Sequence, residues 1–92
     1  MTERIMTLHP EGKEGVNIEL VKYMKVRDAI IRSLQDVEMM SFKNLGREVK
    51  DKLAGSFEGS VSWYIVTVKL DLEARGIVER LPNIKPQMLR LI

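Results

Sequence analysis

At Gly76 the hydrophobic period of the sequence changes within one residue. Upstream, Val61, Ile65, Val68 and Leu72 recur at spacings of four, three and four, which aligns them on one face of a helix. Downstream, Ile77-Val78 opens a short run to Leu81 that suits a strand. Glycine just past a last helical turn adopts the left-handed cap without a steric penalty. A helix starting at Ser60 must therefore pass the chain to a strand with almost no connecting loop. A second strand, Gln87 to Ile92, follows Pro82-Asn83-Ile84-Lys85-Pro86, a segment that can turn but cannot continue a ladder.

The chain before this junction reads as two more helices. From about Glu19, Tyr23, Val26, Ile30 and Leu34 mark one apolar face, and Asp28 and Arg32 stand four residues apart on the outside. The pattern fades at Gln35-Asp36, and Val37 to Met40 is long enough only for a short strand. Ser41 suits an N-cap, since its hydroxyl can accept a free amide of the first turn. Phe42, Leu45, Val49 and Leu53 then repeat at three, four and four. Gly46 inside this helix costs about 1 kcal/mol relative to alanine; close packing against a neighbour is the expected reason. Ala54 to Gly59 is a turn. Residues 1–18 read as an N-terminal arm, with one Pro and two Gly between His9 and Gly15, and residues 19–92 as the folded domain. The expected order is helix, short strand, helix, helix, strand, strand.

Composition bounds what this arrangement can do. Ninety-two residues make one domain, and 45% hydrophobic with 30% charged residues is too apolar for a disordered tail. Without cysteine there are neither disulfides nor thiolate metal sites. No apolar run reaches the roughly 20 residues of a membrane span, and Met1-Thr2-Glu3-Arg4 does not open a signal peptide. A soluble, cytoplasmic protein with no membrane partner is expected.

The element order is that of a winged helix-turn-helix, an α+β but mainly α fold in which a three-helix core carries a C-terminal β-hairpin wing. Leu72-Glu73-Ala74-Arg75-Gly76-Ile77-Val78-Glu79-Arg80 resembles the passage from recognition helix to wing in bacterial winged-helix regulators. Nearly the whole chain is also similar to a small family of uncharacterised bacterial proteins. The shared strings are His9-Pro10-Glu11-Gly12-Lys13, Gly59-Ser60-Val61-Ser62-Trp63-Tyr64, Val68 to Gly76, and Lys85-Pro86-Gln87-Met88-Leu89-Arg90-Leu91. This resemblance implies a winged-helix-like fold; it carries no established activity and transfers no functional residue.

An enzyme is not expected. His9 is the single histidine, with no neighbouring nucleophile and carboxylate at a recognisable spacing, and it reads as a polar loop residue. One imidazole and no thiolate is a poor donor set for a transition metal, so neither metal nor cofactor is expected. Gly12-Lys13-Glu14-Gly15 lacks the spacing and the hydroxyl residue of a phosphate loop and reads as a flexible turn.

Nucleic acid is the expected partner on the fold, with duplex DNA first. Lys43, Arg47 and Lys50 lie opposite the apolar face of the second helix, where they can neutralise phosphates or simply be solvated. From Ile77 onward Arg80, Lys85 and Arg90 face a single acid, Glu79, whereas residues 1–76 carry 12 basic and 12 acidic residues, so the net +2 sits in the wing. Ser60 and Ser62 at the start of the third helix can donate to phosphate. The outer face of that helix, Trp63, Val66, Thr67, Leu70 and Ala74, is polar only at Thr67, and Asp71 and Glu73 are expected to oppose DNA nearby. No Arg, Asn or Gln occupies a base-reading position there. Three occupants suit such a face: the arm folded back through Ile5, Met6 and Leu8, a homodimer or protein partner through Trp63, Val66, Leu70 and Ala74, or DNA at Trp63 and Thr67. Tyr64 is expected at the rim of the core. The reading is a regulatory-type DNA-binding domain using backbone-phosphate contacts; its alternative is a protein-interaction or dimerisation module.

Overall fold

Two serine caps and one glycine cap set the start of the second helix and both ends of the third. The structure, a computed structural model, describes residues 2–92; Met1, the first residue of the arm, lies outside the described residues. Helix α1 spans Leu20–Gln35, α2 Phe42–Leu53 and α3 Val61–Ala74. Ser41 Oγ accepts from the Asn44 amide at 3.1 Å and Ser60 Oγ from the Trp63 amide at 3.3 Å. At the end of α3, the Gly76 amide donates to Glu73 O and the Ile77 amide to Leu72 O, 3.2 and 3.0 Å, with Gly76 at φ +75°. This is a Schellman motif, and it starts the next strand within four residues of the helix.

Strands β4, Val78–Arg80, and β5, Met88–Leu91, pair antiparallel with Glu79 opposite Arg90. Hydrogen bonds from Leu81 N to Met88 O and from Ile92 N to Ile77 O, each 3.0 Å, extend the hairpin toward the expected ends. A third strand, β3 at Met40–Ser41, joins the other side of β5, giving the order β3-β5-β4. The short strand expected at Val37–Met40 is thus shifted. Val37 and Met39 are 41% and 40% exposed, because the ladder starts only at Met40, opposite the fully buried Leu89.

The arm is a hairpin. Strand β1, Arg4–Met6, pairs antiparallel with β2, Asn17–Glu19, with Ile5 opposite Ile18. Thr7 closes its end: its amide donates to Val16 O at 2.8 Å and its Oγ1 accepts from Val16 N at 2.9 Å. Gly15 is no flexible turn residue, since a Cβ there would lie 1.8 Å from Thr7 O. Ile18 is buried and Ile5 packs on the core.

That core lies among the three helices and the inner face of the three-stranded sheet. Val26, Ile30, Leu45, Val49, Val68, Leu72 and Leu89 are fully enclosed, and truncating one of the leucines costs about 2–5 kcal/mol. Every stripe residue read from α1 is buried. Gly46 departs from expectation: a Cβ there would meet nothing within 4 Å, so close packing is not its reason. The architecture is a small α+β domain of three helices and two antiparallel sheets.

Candidate nucleic-acid interface

The Ser41 cap fixes the phase of α2, turning Leu45, Val49 and Leu53 inward and leaving Lys43, Arg47 and Lys50 exposed. With Ser62 these cations line a groove of about 340 Å³ between α2 and the first turn of α3, bounded by Phe42 and Ile65. Gly46 lines it too and keeps its wall low, a consequence of the missing side chain. Among the described residues none of the three cations is in an ion pair, whereas the neighbouring Lys52 sits 3.7 Å from Glu48. Ser60 is exposed beside the groove in sequence, with its oxygen engaged as the α3 cap.

The β4–β5 hairpin presents a separate concavity. Arg80 and Lys85 line it together with Ile84, while Arg90 is held by its cross-strand neighbour Glu79 at 2.9 Å. Two of the three cations of the hairpin segment therefore stay unpaired among the described residues. Lys43, Arg47, Lys50 and Ser62 share one site, Arg80 and Lys85 another. Thr67 belongs to neither; it lies with Trp63 and Leu70 on the arm side of α3.

The expectation that Asp71 and Glu73 oppose DNA is corrected. Asp71 is fully buried, and its carboxylate accepts from the Leu8 amide at 2.8 Å, from Arg75 Nε at 2.9 Å and from the Tyr23 hydroxyl. Burial, then the hydrogen bond to Asp71 and its negative charge, push the Tyr23 hydroxyl up to about 12. The hydrogen bond to Asp71 likewise raises Arg75 above the ordinary guanidinium value. Glu73 points to Lys69, 2.9 Å away. Lys69 is itself 5% exposed, donates to Gln87 Oε1 at 3.1 Å and lies 5.2 Å from the centre of the Phe42 ring. The spacing of four between Lys69 and Glu73, and between Asp71 and Arg75, was available as a sign of pairing. Nothing in it told that Lys69 and Asp71 are buried.

The outer face of α3 is partly covered. Trp63 and Val66 are 45% and 42% exposed, while Thr67, Leu70 and Ala74 are half-buried. The arm lies along the Trp63–Leu70 side through Leu8 and Val16, leaving a pocket of about 150 Å³. Of the arm residues expected on this face, Leu8 reaches it; Ile5 joins the core and Met6 is 53% exposed. Tyr64 is half-buried and stacks edge-on with Phe57 and Trp63, ring centres 5.0 and 4.9 Å apart. His9 is oriented in its loop by a bond from the Glu11 amide to Nδ1, 3.1 Å. No group of three His, Asp or Glu side chains suited to a metal occurs among the described residues, and no helix among them is long and apolar enough to cross a membrane.

Fold and surface define a small α+β domain with an unpaired basic groove between two helices. The chain belongs to a family of unknown function (DUF6958), whose model matches residues 4–89. No curated protein and no solved structure matches it.

Proposed function

We propose that this protein is a winged-helix domain of regulatory type that binds duplex DNA through its phosphates, acting as a binding protein in the cytoplasm rather than as an enzyme. The element order and the sheet order β3-β5-β4 support the fold reading. One observation carries the function: Lys43, Arg47, Lys50 and Ser62 line a single open groove, and no acid neutralises the three cations among the described residues. Arg80 and Lys85 supply further backbone contacts from the wing. With no base-reading side chain on α3, binding is weakly sequence-specific and dominated by counterion release. Fluorescence anisotropy with a labelled duplex tests this. Affinity falls steeply with salt, and the triple change Lys43→Glu, Arg47→Glu, Lys50→Glu abolishes binding in a folded protein. Absence of binding by the wild type at about 50 mM salt would sink the reading.

The second reading is a protein-interaction or dimerisation module that uses the outer face of α3. Its support is the exposure of Trp63 and Val66 beside the half-buried Leu70 and Ala74, since tryptophan is favoured at interface centres. Light scattering distinguishes it: a dimer mass that returns to the monomer with Trp63→Ala favours the module, and a monomer at every concentration removes it.

A further inference from the structure

The seam between the arm and α3 holds a pocket that neither the fold nor the basic groove uses. Two of the strings that carry the family resemblance, His9 to Lys13 and Gly59 to Tyr64, lie far apart in the chain, yet His9 and Trp63 both line it. Its walls are held rather than loose. Thr7 is 3% exposed and doubly bonded to Val16, Gly15 permits the close approach of the two arm segments, and the Leu8 amide is fixed on the buried Asp71. A pocket walled by such anchored backbone is preorganised for a ligand.

We propose that this pocket binds a small organic cation, an ammonium group bearing methyl or short alkyl substituents. Its volume of about 150 Å³ is close to what one benzene-sized molecule fills. Leu8, Val16 and Leu70 offer apolar surface for the substituents, and Trp63 an indole, the best of the aromatic partners for a cation. Charge decides the class. Glu14 lines the pocket and has no ion-pair partner among the described residues, whereas Glu11 of the same loop is engaged by Lys13 at 3.5 Å. No lysine or arginine lines it. A pocket lined by an acidic residue, a tryptophan and apolar side chains fits an alkylammonium and disfavours an anion of the same shape.

Trp63 is the single tryptophan and reports on its own pocket. Full-length protein is titrated with tetramethylammonium at constant ionic strength, with tert-butanol as the neutral analogue and pivalate as the anionic one. Tetramethylammonium produces a saturable change in Trp63 emission with a millimolar dissociation constant, and the two analogues do not. Glu14→Gln, at an exposed loop position, keeps the fold by circular dichroism and weakens binding about threefold to fivefold, the factor expected of an exposed charge pair. Trp63→Leu weakens it comparably, followed through the line width of the ligand's methyl proton signal. The proposal is overturned by an equal response to tert-butanol, by tighter binding of pivalate, by unchanged affinity in Glu14→Gln, or by no saturable change with tetramethylammonium up to about 100 mM.

Discussion

Helices α2 and α3 use their charged residues in opposite ways. On α3, Lys69, Asp71, Glu73 and Arg75 pair among themselves and fasten the helix to the arm, α1 and Gln87 just before β5. On α2, Lys43, Arg47 and Lys50 stand in solvent along an open groove. The first set holds the fold together, at the desolvation cost that buried charges carry; the second adds little to stability and is free to meet a ligand. Formal charge therefore says little here about where a field is felt. The two acids that seemed to guard α3 against DNA are folded away, and the groove at its first turn is lined by positive charges.

This contrast can be broken at graded cost. Asp71→Ala strands the Tyr23 hydroxyl and the Leu8 amide and releases the partly exposed Arg75 guanidinium to solvent, and urea denaturation reports a loss of about 3–5 kcal/mol, the sum of two unsatisfied groups. Tyr23→Phe removes one hydrogen bond to that carboxylate and costs about 1.5–3 kcal/mol. The tyrosine also sets an alkaline limit. Its folded value of about 12 lies above the ordinary tyrosine value of 10.0, so the native state keeps the proton longer than the unfolded chain. Its contribution is whole below the unfolded value and is lost as pH rises through the folded one; in Tyr23→Phe that part of the alkaline decline disappears. Gly46→Ala gains up to about 1 kcal/mol in thermal unfolding, because the new methyl meets open space and only helix propensity changes. Smallest of all, Lys43→Glu, Arg47→Glu and Lys50→Glu each shift stability by about 0.5 kcal/mol or less, so a loss of DNA binding in these variants would not be an unfolding artefact.

Much of the fold was legible because it rests on local rules. Serine caps at Ser41 and Ser60, the glycine after α3 and the stripes of α1 and α2 are written in neighbouring residues. What stayed hidden depends on partners distant in sequence. A helical wheel puts Asp71 on a flank of α3; only the arm's amide at Leu8 and the hydroxyl of Tyr23 make that flank an interior. Gly15 reads as a turn until Thr7 is brought against it, and Gly46 reads as a contact until the space beside it proves open. The cations of the groove were legible from their spacing on α2, but their meeting with Ser62 required the packing of α2 on α3. The arm pocket left no local signal, since His9, Glu14 and Trp63 come together only through the docked hairpin.

The central claim is that the α2–α3 groove neutralises phosphates, and the salt dependence of duplex binding tests it most directly. With three contacts on α2, the slope of log affinity against log salt for the wild type is steeper by about 2.7 than for the protein carrying alanine at positions 43, 47 and 50. Equal slopes for the two proteins, or a wild type whose affinity does not vary with salt, would contradict it.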